Sequence, residues 1–202
     1  MKLMRQALRV IGPLLLVAAC RAAAVPGVST PGAPAPGPAG PVAVRMAPKG
    51  ETAPVEVGGV TPNDTVIVVR RGVGRVVILR HGPPDRTDFA ELTLPATVFA
   101  KATNDSILVT IKTRPGVYGL ELSADADWGP GTALAFKYAI HFYPPADALQ
   151  RYATLTEVDR RLTMARRERN GDLTIYLTSH PAPDVIRAFI PGGGTYVMVV
   201  GK

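Results

Sequence analysis

The sequence contains one cysteine, Cys20, among its 202 residues. A disulfide within the chain is therefore excluded, and so is a zinc site built from several thiolates. The three histidines, His81, His141 and His180, do not have metal-motif spacing, so we expect neither a metal nor a cofactor. His81 and His180 lie at strand ends near proline, which predicts solvated loop positions. The alternation around His141 predicts an exposed or partly buried side chain.

Long apolar runs are also absent. The run at 10–19, VIGPLLLVAA, has about half the length that a membrane-spanning helix needs. Gly12-Pro13 interrupts helix continuity within it. The residues before it include three basic side chains and no acidic one. A basic start followed by a short apolar core and small residues is typical of a secretory signal peptide, which we place at 1–19.

The end of this run, Val17-Ala18-Ala19-Cys20, resembles the lipobox of bacterial lipoproteins. The resemblance implies that Cys20 is acylated and becomes the first residue of the mature chain. It also implies a lipid-anchored protein of the bacterial cell envelope, facing the periplasm or the cell surface. Two alternatives remain open at this point: ordinary secretion with cleavage after Ala22 to Ala24, and an uncleaved N-terminal anchor.

Few charged or large apolar residues follow Cys20. The segment 22–41 contains six prolines, four glycines and no charged residue, so we expect a disordered linker at 20–41. Without the three basic residues of the signal segment, the formal net charge falls from +7 to +4. This mild charge lacks the clustered basic face that nucleic-acid-binding proteins carry, so we do not expect a nucleic acid as a partner.

Helical periodicity is rare in the remainder, 42–202, where only Ala146 to Arg151 predicts a helical turn or two. About ten short runs of β-branched or alternating residues lie between turn signals. Strands without intervening helices predict an all-β domain, an antiparallel β-sandwich of immunoglobulin-like type. A split near 143–158 is an alternative. The predicted strands include 66–69, 76–79, 90–94, 106–111, 116–122, 134–142, 162–164, 173–177, 185–190 and 195–200.

Two pairs of these strands are predicted to form hairpins. Val66–Val69 and Val76–Leu79 flank the glycine-containing turn Arg71-Gly72-Val73-Gly74. The other hairpin surrounds the Asn-Gly dipeptide at 170–171, a strong signal for a two-residue turn.

A two-residue turn at Asn170-Gly171 would fix the register of that hairpin. It would place Arg169 opposite Asp172, and Met164 opposite Leu177 with both side chains facing inward.

Residues 88–200 resemble a ZU-five domain, a β-sandwich module. The resemblance is carried by Ala90-Glu91-Leu92-Thr93-Leu94-Pro95, by the strand Ser106–Ile111, by the Asn170-Gly171 hairpin and by the last strand with Thr195–Val199. It implies the same sandwich architecture. Some relatives in that family cleave themselves at a His-Phe-Ser motif, which this sequence lacks, so self-cleavage is not implied.

Two aspartates and the only tryptophan form the compact motif Asp125-Ala126-Asp127-Trp128-Gly129. Alternating carboxylates resemble part of a calcium loop, but the remaining ligands are missing. An acidic turn with Trp128 at one end of the core is one interpretation. The other is a contact site for a sugar or a protein, formed by Asp125, Asp127 and Trp128.

Arginines are concentrated in two neighbouring pairs of positions, Arg160-Arg161 and Arg166-Arg167, followed by Arg169. We expect this charge on the late hairpin, either as a solvated face or as a contact for an anionic lipid or polymer. Arg166, Arg167 and Arg169 are candidate partner contacts.

These observations favour a membrane-tethered, non-catalytic lipoprotein whose sandwich binds another envelope component, either a protein or a polysaccharide. The alternative is a carbohydrate-binding module or a hydrolase that uses the Asp125, Asp127 and Trp128 loop. No catalytic set of residues is apparent in the sequence.

Overall fold

The computed structural model describes residues 40–48 and 50–201. Cys20, the predicted signal peptide and nearly all of the predicted linker lie outside the described residues. The described chain is mainly β-structure, and its strands pair antiparallel. The prediction of an all-β fold is confirmed.

Two large sheets contain thirteen of the fifteen described strands. The larger sheet has the order β1-β12-β11-β15-β8-β7-β4, with β2 also paired to β15. The smaller sheet has the order β13-β14-β9-β6-β5. The larger sheet comprises β1 Ala43–Ala47, β2 Thr52–Pro54, β4 Thr65–Arg70, β7 Ser106–Thr113, β8 Gly119–Ala124, β11 Leu162–Arg167, β12 Leu173–Tyr176 and β15 Gly194–Gly201. The smaller sheet comprises β5 Arg75–Arg80, β6 Asp88–Leu94, β9 Ala133–Lys137, β13 Thr178–Ala182 and β14 Val185–Phe189.

The remaining elements are short. Strands β3 (Glu56–Val57) and β10 (Phe142–Tyr143) pair with each other. Helix α1 (Ala146–Arg151) confirms the predicted helical turn. Helix α2 (Leu155–Arg160) was not predicted, although its capping box is visible in the sequence: Thr154 Oγ accepts the backbone N–H of Glu157 at 3.2 Å.

The two large sheets share one hydrophobic core. Alternating residues of β7, β8 and β15 meet alternating residues of β6, β9 and β14 in a single buried cluster. In both sheets, a strand that precedes the helices pairs with one that follows them: β8 pairs with β15, and β9 pairs with β14. The largest fully buried side chains are Tyr118, Tyr196, Phe89, Phe99, Phe136, Leu92, Leu94, Ile107, Ile111, Leu120, Leu122 and Leu134.

The predicted hairpin at Arg71–Gly74 is wrong. Its two strands follow each other closely, but β4 pairs with β7 in the larger sheet, and β5 pairs with β6 in the smaller sheet. The turn carries the chain from one sheet to the other. A glycine-containing turn specifies a change of direction, whereas the choice of pairing partner depends on which faces must be buried.

The hairpin of β11 and β12 is confirmed, but the predicted register is wrong by one residue. Glu168 donates its backbone N–H to the carbonyl of Asp172 at 2.8 Å, which leaves a three-residue loop. Gly171 adopts a φ of 89°, as the last position of such a loop requires.

The shifted register changes which side chains are paired in the hairpin. Arg167 therefore lies opposite Leu173, and Ala165 opposite Ile175. Leu177 is exposed and does not face Met164.

Candidate functional site

The acidic loop predicted as a contact site follows β8 directly. Asp125 is exposed, and its carboxylate accepts the backbone N–H of Leu108 at 2.9 Å. Asp127 is also exposed. Both aspartates line one shallow depression of about 260 Å³ together with residues 101–104.

Trp128 is half-buried and packs against the core rather than projecting from it. Its ring lies 5.3 Å from that of Phe99, centroid to centroid, and contacts the turn at Gly192-Gly193. The part of Trp128 that stays accessible lines a second depression of about 260 Å³, which also includes Lys101 and Asp127. The structure therefore brings Asp125 and Asp127 into one depression and Trp128 into an adjoining one.

The arginines are separated by the fold. The predicted position of Arg160 and Arg161 on the late hairpin is wrong. They lie at the end of α2, a helix that was not predicted. Arg167 and Arg169 are exposed. Arg166 is half-buried instead, and its side chain packs beside Gly194 and Tyr196.

Arg166 forms a two-pronged ion pair with Glu168, at 3.0 Å from Nε and 3.2 Å from the second guanidinium nitrogen. Glu168 also accepts the hydroxyl of Thr174 at 2.6 Å. This hydroxyl and, to a lesser degree, the guanidinium hold the pKa of Glu168 below its ordinary value. Such an arrangement supports the hairpin, whereas Arg167 and Arg169 remain accessible to a partner.

A cluster of polar residues that the sequence did not reveal lies where the loop after β5 meets the segment before β10. One carboxylate oxygen of Asp85 accepts the backbone N–H and the hydroxyl of Thr87, at 2.7 and 2.8 Å. The other oxygen accepts a hydrogen bond from Nε2 of His141. The ring centroids of His141 and His81 are 4.6 Å apart.

His81 is 3% exposed, so the predicted solvated loop position is wrong. The inward alternation of Val77 and Leu79 continues by one further residue beyond the end of β5. The ring of His81 lies edge-on against Phe89 and Tyr118, and Nδ1 lies 3.2 Å from the carbonyl of Val60. His141 is partly buried and His180 exposed.

The cluster combines a stabilised carboxylate with a disfavoured imidazolium. The Thr87 backbone N–H and then His141 hold the pKa of Asp85 well below its ordinary value. Burial lowers the pKa of His81 and raises that of the Tyr118 phenol, whose hydroxyl has no hydrogen-bond partner among the described residues. The hydrogen bond from His141 orients the Asp85 carboxylate, but no serine or cysteine hydrogen-bonds to either imidazole in the described chain.

Three large apolar side chains lie exposed on the neighbouring strands β4 and β7 of the larger sheet. Val66, Val68 and Leu108 are 62%, 48% and 49% exposed, and Val68 lies directly opposite Leu108 in the pairing of β4 and β7. We call these three residues the apolar patch. Asp125 borders the patch because it holds the backbone of Leu108. The sequence indicates this patch through the run 66–69, in which apolar residues occupy both faces of the strand.

Comparison with known proteins identifies no matching protein family, no matching curated protein and no matching solved structure. Among residues 40–48 and 50–201, no three histidine, cysteine, aspartate or glutamate side chains are grouped as metal ligands would be. In this same part of the chain, neither helix has the length and apolar character needed to cross a membrane.

Proposed function

We propose that this chain is a lipid-anchored, non-catalytic lipoprotein of the bacterial envelope whose β-domain binds a partner protein. The proposed contact is the apolar patch together with the adjoining aspartates, Asp125 and Asp127. The observation that supports it most strongly is the exposure of Val66, Val68 and Leu108 side by side on one face. Exposed apolar residues that are contiguous mark interaction surfaces more often than scattered ones do.

The surroundings of the patch indicate which partner would fit. Val66, Val68 and Leu108 are β-branched or branched aliphatic residues held rigidly by the sheet, so they lose little conformational freedom on binding. The aspartates beside them carry negative charge at neutral pH. A complementary partner would present apolar side chains next to lysine or arginine.

The test uses the full chain in its native membrane, with a photocrosslinking residue at Val66. We expect one dominant crosslinked protein, and we expect Val68→Lys with Leu108→Lys to abolish its capture. The matched control is Val76→Lys with Ile78→Lys, which alters two similarly exposed aliphatic residues on the other sheet. Equal loss of the crosslink in both double variants would show that the patch is not the contact.

The lipid anchor belongs to the same proposal and has its own test. Mass spectrometry of the membrane fraction should identify a mature chain that begins at an acylated Cys20. Cys20→Ser should remove the acyl groups and release the protein from the membrane. A soluble, unmodified wild-type chain that begins at residue 23 or 25 would refute the anchor without affecting the proposed partner surface.

The finer fold assignment is also a proposal, an antiparallel sandwich of immunoglobulin-like or ZU-five-like type. It is supported by the core that the two large antiparallel sheets share. An experimental structure in which the sheets close into a barrel would contradict it.

The alternative function, sugar binding or hydrolysis at the acidic loop, has weaker support. Both aspartates line the same depression. However, the Asp125 carboxylate already accepts the backbone N–H of Leu108, and the Trp128 ring packs on Phe99. Because Trp128 is the only tryptophan, a bound oligosaccharide would change the intrinsic fluorescence directly. A saturable change that Asp127→Asn abolishes would favour the sugar-binding alternative.

A further inference from the structure

The ends of the two short helices bring three arginines around one surface depression. Arg151 closes α1, Arg160 closes α2, and Arg161 follows it directly. All three line a depression of about 450 Å³ together with Tyr152, Ala153 and Glu157, and all three are exposed. We call this depression the arginine pocket.

Two acidic side chains near the arginine pocket accept hydrogen bonds from other groups of the chain. Glu157 lines the arginine pocket, but its carboxylate accepts the backbone N–H of Ala153 at 2.9 Å, as part of the α2 cap. Asp159 accepts the hydroxyl of Tyr138 at 2.5 Å.

One of the three guanidinium groups is held in place. Arg161 stacks over the ring of Tyr152, with 5.6 Å between the guanidinium carbon and the ring centroid. The Tyr152 hydroxyl in turn donates to the carbonyl of Gly201 at 3.1 Å, at the end of β15. A fixed guanidinium loses less freedom when it binds a ligand than a mobile one does.

Stabilisation of the two helices does not explain the position of all three arginines. A basic residue in the last turn of a helix favours that helix through its dipole, which explains Arg151 and Arg160 individually. It does not explain why three cations surround one depression, where they repel one another. An anion between them would remove this repulsion, and phosphate oxygens match the two-pronged geometry of guanidinium donors.

We propose that the arginine pocket binds a phosphate group that carries net negative charge. The phosphate belongs either to the headgroup of an anionic lipid or to a soluble phosphorylated molecule. The proposal does not depend on the apolar patch, which lies on β4 and β7.

Residue-resolved footprinting of the full chain tests the proposal and distinguishes the two sources. An arginine-specific dicarbonyl reagent is applied in three conditions: soluble pyrophosphate, phosphatidylglycerol vesicles and phosphatidylcholine vesicles. We expect several-fold slower modification of Arg151, Arg160 and Arg161 in one of the first two conditions. Arg167 and Arg169, exposed elsewhere on the same chain, are the internal references.

The outcomes separate clearly. Protection in pyrophosphate indicates a soluble ligand, and protection restricted to phosphatidylglycerol indicates a lipid headgroup. Equal modification rates in all conditions, or equal protection of Arg167 and Arg169, would overturn the proposal.

A charge-matched pair of variants provides a second measurement. The triple variant Arg151→Gln, Arg160→Gln and Arg161→Gln should lose the rise in Tm caused by whichever probe protects the arginines, pyrophosphate or phosphatidylglycerol vesicles, at constant ionic strength. Lys112→Gln, Arg167→Gln and Arg169→Gln remove the same charge elsewhere and should retain it. A rise of equal size in both triple variants would contradict a phosphate site at the arginine pocket.

Discussion

His141 donates a hydrogen bond from Nε2 to the carboxylate of Asp85, although 56 residues separate them in the chain. The contact joins the loop after β5 to the segment before β10. The backbone N–H and the hydroxyl of Thr87 donate to the other oxygen of the same carboxylate. The consequences of this arrangement can be measured as a pH dependence of stability.

The Asp85 carboxylate should stabilise the fold at neutral pH and lose that effect in acid. Its pKa is lower in the folded chain than in the unfolded chain, so the unfolded state binds more protons below about pH 4. Stability should therefore fall as the pH decreases from 5 to 2. Asp85→Asn should make this decline shallower in urea unfolding, whereas Asp127→Asn should not. Identical pH profiles for the two variants would contradict the prediction.

His81 should cause a separate loss of stability at milder acidity. Burial lowers its pKa in the folded state, so between that value and about 6.5 the unfolded chain binds the additional proton. This contribution is fully present above pH 6.5 and decreases as the pH falls towards 5.

His81→Gln isolates this contribution, because it removes the buried imidazole and leaves His141 and His180 in place. The variant is expected to be less stable at every pH, but its urea midpoint should change less than that of wild type between pH 7 and pH 5. His180→Gln, at an exposed position, should retain the wild-type slope. An unchanged slope in His81→Gln would show that His81 is not buried in its neutral form.

Arg166 should matter for stability and Arg167 should not. Arg166→Ala removes the two-pronged pair with Glu168 and the packing beside Gly194, which should cost about 1–2 kcal/mol. The Arg167 side chain is exposed, so Arg167→Ala should change the free energy of unfolding by less than about 0.5 kcal/mol. Urea denaturation measures both. Similar costs for the two variants would refute the distinction.

Gly192 should be intolerant of a side chain because Trp128 occupies the adjacent space. Its φ is 132°, and a Cβ atom there would overlap the Trp128 ring. Gly192→Ala should destabilise the fold by roughly 1–3 kcal/mol and shift the tryptophan emission of the folded state.

Gly72→Ala is the matched control, since Gly72 also has a positive φ, 77°, but open space around it. It should be less destabilising and leave the emission unchanged. If both variants cost the same free energy and neither shifts the emission, backbone conformation alone accounts for the effect.

Local chemistry predicts the elements of this fold better than their pairing. The runs 66–69 and 76–79 were identified as strands because β-branched residues favour extended backbone. Their assignment to different sheets depends on contacts with β6 and β7, which no turn sequence encodes. The one-residue register error at Asn170-Gly171 arose similarly, because the same dipeptide suits both two- and three-residue loops.

The polar cluster was inaccessible to sequence analysis for a related reason. Asp85, His81 and His141 have no common spacing, and only the pairing of distant strands brings them together. The Asp125, Asp127 and Trp128 loop was easier to find because its members are adjacent in sequence. Adjacency identified the loop but left open whether Trp128 packs on the core or projects from it as a contact.

The position of β15 has a consequence for the order of events during synthesis. This last strand of the described chain lies inside the larger sheet, between β11 on one side and β2 and β8 on the other. Until it emerges, β11 and β8 have no common neighbour, and the larger sheet consists of two separate parts. The larger sheet can therefore form as one continuous sheet only after residues 194–201 have been synthesised.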